Sequence, residues 1–150
     1  MIWYCDSSAL VKRYVNEQGS SWFRQQLSQH DLLVSELAVA EIASTLARRK
    51  RQGTISDFEF HSGRGQFARH LQAGQYAFLQ TNRRTVNQAA ILIYRYPLVA
   101  YDAIHLAAAL IHWQTGGIIP NQFCFVTADD QLRAAAEASG LQTENPNDHP

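Results

Sequence analysis

The sequence predicts an α/β layered fold built around a mainly parallel sheet, and three observations carry that prediction. Residues Ile2-Trp3-Tyr4-Cys5 form an apolar run without polar alternation that stops at Asp6, Ser7 and Ser8. Such a run is the pattern of a strand covered on both faces. Strand-like runs then alternate with helical patterns along the whole chain, the order that gives parallel strands joined by crossover helices. Finally, Asp6 ends the first of these runs and Asp129 closely follows the last long one. In open parallel sheets ligands bind beyond the carboxyl ends of the strands, so acids there stand where a site is built.

Taken in order, a helix is expected from Ser7 to Val15, with a break near Gln18-Gly19. Ser20 or Ser21 then caps an amphipathic helix through Trp22, Phe23 and Leu27. Asp31–Ser35 reads as the second strand. Leu37–Arg51 reads as an alanine-rich helix that ends in Arg48-Arg49-Lys50-Arg51 ahead of Gly53, with cations in the last turn and glycine beyond it. Ser56 and Glu59 form a capping box for the next helix, which runs through Phe60 and Phe67 to Leu71. Tyr76–Gln80 is a short third strand, and Thr81 or Asn82 starts a helix that Pro97 stops. Tyr101–Trp113 is the most apolar helix of the chain. Phe123–Thr127 is the fourth strand, Gln131–Ala138 the last helix, Leu141–Thr143 a closing edge strand, and residues 145–150 a frayed tail.

Composition limits the possibilities. A chain of 150 residues, 46% hydrophobic, makes one domain over 1–150 with an ordinary core. Thirteen basic and thirteen acidic side chains cancel, so no global positive field points to nucleic acid and any basic surface is local. Cys5 and Cys124 lie inside apolar runs, where buried free thiols are expected rather than a disulfide or a cysteine metal site. No stretch approaches the roughly 20 apolar residues of a membrane span, and no basic segment leads into a long apolar one at the start. A cytoplasmic setting is expected.

Four carboxylates stand where the pattern predicts burial or a strand end. Asp102 begins a helix that is apolar on nearly every face, where an ionised acid has to be paired, capping or metal-bound. Glu41 interrupts apolar residues in the alanine-rich helix, on a polar stripe with Thr45 and Arg48 that solvent alone would explain. Asp6 and Asp129 are each placed to cap the next helix. If the strand ends share one edge of the sheet, all four acids converge, and converging carboxylates require a positive charge among them. A hard divalent cation, Mg2+ or Mn2+, suits oxygen ligands beside a substrate phosphate. His105, one helical turn after Asp102, is expected to orient it by a hydrogen bond. Once Asp6 is read as part of this cluster, Ser7 and Ser8 take the helix-capping role.

At these residues the chain resembles the PIN-domain ribonucleases, and among them the VapC-like toxins of type II toxin–antitoxin modules. The resemblance rests on Tyr4-Cys5-Asp6-Ser7-Ser8-Ala9-Leu10-Val11-Lys12, Val39-Ala40-Glu41-Ile42-Ala43-Ser44, Leu98-Val99-Ala100-Tyr101-Asp102-Ala103-Ile104-His105-Leu106-Ala107 and Phe125-Val126-Thr127-Ala128-Asp129. It implies a three-layer α/β/α sandwich with four or five parallel strands, metal-dependent cleavage of RNA, a cognate antitoxin that occludes the site, and a homodimer. The family's acidic quartet falls on Asp6, Glu41, Asp102 and Asp129, with Thr127 in support. Asp6, Asp102 and Asp129 would hold the Mg2+ or Mn2+, and Glu41 would complete the set or orient a water. Asp130 departs from the pattern where relatives often carry a basic residue, and Glu36 where they more often show serine.

Arg48, Arg49, Lys50 and Arg51 form the best local cluster for an RNA backbone. Two alternatives stay open at this stage. One is a housekeeping nuclease of the same fold without an antitoxin. The other is a non-catalytic module that binds RNA or a partner, for which Trp22, Phe58, Phe60 and Phe67 offer a helical surface. Phosphatases and receiver domains that use an aspartate after the first strand fit poorly. Ser8 stands where the phosphatase pattern wants a second acid, and the only lysines, Lys12 and Lys50, precede any late strand.

Overall fold

The three central strands are short and apolar enough to be enclosed on both sides, and a shorter, more exposed strand flanks them at each edge. The computed structural model describes residues 1–149 and contains β1 (Ile2–Cys5), β2 (Asp31–Ser35), β3 (Ala77–Leu79), β4 (Phe123–Val126) and β5 (Gln142–Glu144). They form one sheet in the order β3-β2-β1-β4-β5, with every neighbouring pair parallel. The connections are α1 (Ser7–Leu10), α2 (Ser20–Gln26), α3 (Leu37–Arg51), α4 (Asp57–Gln72), α5 (Arg83–Arg95), α6 (Ala100–Thr115) and α7 (Asp130–Ala138).

The two faces of the sheet carry separate cores, so the architecture is a three-layer α/β/α sandwich. Trp3, Cys5, Leu32, Val34, Cys124 and Val126 pack with Ala9, Phe23, Ile42, Leu46 and Phe67 from α1 to α4. Tyr4, Leu33, Phe123 and Phe125 pack with Leu92, Leu106, Ala107, Leu110 and Leu132 from α5 to α7. Successive residues of a strand face opposite sides, and β1 is apolar at both because both sides are covered. Cys5 and Cys124 are buried and free. No helix among the described residues is long and apolar enough to cross a membrane.

Local chemistry sets most element ends where the sequence places them. Ser56 and Glu59 make the reciprocal capping box of α4, and Asn82, not Thr81, caps α5 by accepting from the Thr85 N–H at 3.1 Å. Three ends differ. The first helix is one α-turn followed by a 3₁₀ turn at Val11–Arg13, short of Val15. Gly19, not a serine, caps α2, with φ 74°; a Cβ there would lie 2.1 Å from the Pro146 carbonyl oxygen, which excludes any side chain. The Ser20 hydroxyl instead donates to Val15 O at 2.9 Å.

The terminal segment is also a correction. Residues 145–149 are not frayed: Asn145 is 2% exposed and Pro146–Asp148 form a 3₁₀ turn; Pro150 lies outside the described residues. Asp130, Gln18, Arg133 and Trp22 all hold this segment, and so does Lys12, itself 3% exposed. Its ammonium donates to Glu17 Oε1 (2.9 Å), Gln18 O (2.7 Å) and Asn147 Oδ1 (2.7 Å), so a buried cation needs the chain end as an acceptor. The run of prolines and polar residues gives no local hint of that distant requirement.

Deleting residues 145–150 should therefore leave a folded but weaker protein, less stable by about 2 kcal/mol for the Asn147 hydrogen bond stripped from a buried cation. Thermal unfolding followed by circular dichroism reads the loss, and an unchanged midpoint would mean that the segment does not support Lys12.

Candidate active site

The strand order reverses at β1, so the crevice between the carboxyl ends of β1 and β4 is the topological switch point of the sheet. Asp6 leaves β1 at this place and is 3% exposed. Its backbone N–H donates to Val126 O at 3.1 Å, extending the pairing of the two strands. Its carboxylate caps α1, Oδ1 accepting from the Ala9 N–H at 2.9 Å. Ser8 Oγ lies 2.9 and 2.8 Å from the two carboxylate oxygens, and Thr127 Oγ1 donates to Oδ2 at 2.8 Å. Both hydroxyls also accept from the backbone, Ser8 from Ala128 N–H at 2.9 Å and Thr127 from Asp129 N–H at 3.1 Å. The expected capping role of Ser7 and Ser8 is thus corrected. Asp6 is the cap, Ser8 holds it, and Ser7 lines the cleft.

Asp129 lies just past β4 and caps α7, Oδ1 accepting from the Leu132 N–H at 2.8 Å. Asp102 stands in the first turn of α6 but is not its cap, a position taken by Val99 without a side-chain bond. Burial first, then the negative charges of Asp129 and Asp6, push the Asp102 carboxyl up to about 6, with Glu41 adding to the effect and His105 opposing it. The Asp6 carboxyl is raised as well, by burial, against the pull of His105 and the hydrogen bonds from Ala9, Ser8 and Thr127.

This donor set fits a hard cation. It is made of carboxylate oxygens whose mutual charge raises one of their own members, the condition a divalent ion relieves. No three His, Cys, Asp or Glu side chains among the described residues close into a finished cage. Magnesium does not require one, since it keeps several waters and is commonly held by one or two carboxylates.

Glu41 is the fifth residue of α3, and its side chain is 21% exposed. Solvent does not account for it, because Oε2 lies 2.7 Å from His105 Nε2. His105 is 1% exposed, and its Nδ1 lies 2.9 Å from the Tyr4 hydroxyl, itself fully buried. His105 therefore serves Glu41, not Asp102 as the spacing suggested. Residues three apart on a helix are neighbours, but the ring reaches across the sheet edge to the opposite helix layer. Burial disfavours the imidazolium, yet the Glu41 bond and the charges of Glu41, Asp6 and Asp102 outweigh it, so the His105 pKa is raised. Tyr4 was not among the residues the sequence singled out. The available signal was a tyrosine inside an otherwise apolar strand, because a buried phenol needs a partner.

A cleft of about 760 Å³ opens beside these groups, lined by Glu41 and Asp102 together with Lys12, Arg48 and Arg49. The four-residue basic run is split by the helix. Arg48 and Arg49 line the cleft, Arg49 also bonding Glu17. Lys50 turns away to Asp57 at 3.2 Å and over the Phe60 ring at 4.8 Å, and Arg51 is exposed outside the lining. Asp130 pairs with Arg133 at 3.1 Å, and Glu36 Oε1 accepts from the Thr81 N–H at 2.9 Å, so both departures from the family pattern have partners of their own. Of the aromatic residues considered for a docking surface, Phe67 is 7% exposed and belongs to the core, whereas Phe58 is 81% exposed.

The raised Asp102 has a consequence for stability. Between its ordinary value of 3.8 and its folded value of about 6, the folded chain binds more protons there than the unfolded chain, so this group's contribution falls as pH rises through that window. In cation-free buffer Asp102→Asn should raise the thermal midpoint at pH 7, and the advantage over the parent should shrink to nothing near pH 4. A variant less stable than the parent at pH 7 would contradict the crowded-acid account.

The comparisons with known proteins agree with this geometry. A family model described as the PIN domain matches residues 3–138. Ribonuclease VapC46 of Mycobacterium tuberculosis (strain ATCC 25618 / H37Rv) is 33% identical over 139 residues, covering 92% of each chain. Among solved structures, VapBC2 from Rickettsia felis bound to a DNA fragment from their promoter matches with a TM-score of 0.61 at 12% identity, over 97% of this chain and 98% of that one. A toxin–antitoxin complex from Klebsiella pneumoniae matches with a TM-score of 0.61 at 14% identity, over 97% and 98%. At such identities the structures speak for the fold alone. The family model and the sequence relative, each covering most of the chain, go further: this protein, with its acids gathered at the switch point of a 3-2-1-4-5 parallel sheet, belongs to the PIN-domain family.

Proposed function

We propose that the chain is a metal-dependent endoribonuclease that hydrolyses phosphodiester bonds in RNA and acts as the toxin of a toxin–antitoxin pair. The observation that carries the reading is the meeting of Asp6, Asp102, Asp129 and Glu41 at one edge of the sheet, where burial first and then the charges of the other acids lift Asp102 to about 6, beside a cleft that Arg48 and Arg49 line. Kinship with a protein named Ribonuclease VapC46 supports RNA as the substrate. A fold shared with a toxin–antitoxin complex is in keeping with a cognate antitoxin.

In this reading Asp6, Asp102 and Asp129 hold Mg2+ or Mn2+. The bound ion would neutralise the cluster and stabilise charge on the scissile phosphate. Ser8, Thr127 and the Ala9 N–H keep the Asp6 carboxylate in place. Glu41 has Oε2 engaged by His105 and offers Oε1 to a water. Arg48 and Arg49 take the phosphodiester backbone. A homodimer is favoured by the apolar residues that α5 and the start of α6 leave uncovered: Val86 is 49% exposed, Ile91 59%, Tyr94 92% and Tyr101 59%. The setting that fits an RNA-cleaving toxin with two free cysteines is the cytoplasm.

Purified protein freed of any antitoxin should cut single-stranded RNA when Mg2+ or Mn2+ is added and stop when EDTA is added. Asp6→Asn and Asp102→Asn should each lower the rate at least about 100-fold with the fold intact by circular dichroism. Undiminished cleavage by either variant would remove that residue from the site. Arg48→Ala should raise KM severalfold and flatten the salt dependence of binding, whereas Arg51→Ala should leave KM unchanged. Equal effects of the two would mean that RNA does not follow the cleft.

A further inference from the structure

We propose that Tyr4 and His105 form a positioning dyad that fixes the Glu41 carboxylate at the acid cleft. The proposal deepens the nuclease reading and rests on it for the role of Glu41. Three bonded or stacked contacts in series make the case. The Tyr4 ring stacks on Phe125 with centroids 5.3 Å apart and planes inclined by 13°, so the phenol is held by two strands at once. Its hydroxyl lies 2.9 Å from His105 Nδ1, and His105 Nε2 lies 2.7 Å from Glu41 Oε2. The series runs from the middle of the sheet, through α6, to α3 in the other helix layer, and it ends on the one acid of the four that stands beyond the first turn of its helix.

The geometry explains why two residues are needed. An imidazole turns about a broad, roughly two-fold torsion, and a half-turn exchanges its nitrogens for carbons. With Nδ1 tied to Tyr4, the edge that faces Glu41 is always the one carrying Nε2. Burial first, then the charges of Asp6 and Glu41, push the Tyr4 phenol up, so its hydroxyl keeps its proton. With a neutral ring that proton is donated to Nδ1 while Nε2–H donates to Glu41. With a charged ring Nδ1–H points to the Tyr4 oxygen and Nε2–H still donates to Glu41. The hold on Glu41 is the same in both states. Tyr4 is fully buried and His105 is 1% exposed, so neither meets RNA and both act through Glu41.

Tyr4→Phe removes one oxygen and keeps the ring that stacks on Phe125. With saturating Mg2+ or Mn2+, Tyr4→Phe should lower kcat for RNA cleavage about tenfold, the usual effect of removing a group that orients a site residue, and leave KM unchanged. In a Glu41→Gln background the same substitution should cost nothing more, because the acid it positions is gone. Full kcat in Tyr4→Phe, or a loss that repeats in the Glu41→Gln background, overturns the dyad. A second arm needs no activity. In the metal-free protein, Tyr4→Phe should shift the ¹⁵N resonance of His105 Nδ1 and Glu41→Gln that of Nε2. Resonances that stay in place refute the dyad. If the parent protein cuts no RNA, the nuclease reading fails, and the nitrogen resonances still decide whether Tyr4 and His105 hold Glu41.

Discussion

The structure turns on one buried carboxylate. Asp6 is placed by β1 at the point where the strand order reverses, and it is tied to β4 by Thr127 and Ser8 and to α1 by its cap bond to Ala9. A charge this deeply buried is tolerable only with several hydrogen bonds to it. Those bonds are what draw the ends of β1 and β4 and the start of α1 into one frame. The other acids are arranged around that frame, Asp129 through the cap of α7 and Asp102 through the first turn of α6.

Capping and site formation are therefore one piece of chemistry. An aspartate at a helix N-terminus is stabilised by orphan N–H groups and by the helix dipole, and Asp6 and Asp129 both use this. It keeps their carboxylates at the carboxyl edge of the sheet despite mutual repulsion. Asp102 has no such bond to the start of its own helix, and burial first, then the charges of Asp129 and Asp6, lift its carboxyl to about 6. The two helix layers meet over this edge through the Glu41–His105 bond, so the fourth acid belongs to the cluster although it comes from the opposite side of the sheet.

Much of this was legible in the chain. Unalternating apolar runs marked β1, β2 and β4, because a strand covered twice has no solvent face to record. The four acids stood out because each interrupts a pattern that predicts burial or a strand end. Less legible was anything that depends on a distant partner. The polar, proline-containing end of the chain reads as a tail, yet it is fixed by Lys12 from more than a hundred residues away. The basic run Arg48-Arg49-Lys50-Arg51 reads as one patch, yet the helical turn sends its members in different directions.

By itself the sequence determined which residues are apolar, where they recur and where acids break the recurrence, and this was enough for the layered parallel fold and for marking Asp6, Glu41, Asp102 and Asp129 as acids out of pattern. Those are local and periodic properties, and local forces write them into the chain. Only the tertiary structure decided which hydroxyls bind Asp6, that His105 serves Glu41 with Tyr4 behind it, and that Lys12 secures the chain end. These are pairings between side chains on different elements. Their geometry is set by strand order and by packing across the sheet, neither of which has a signature in the spacing of residues along one chain.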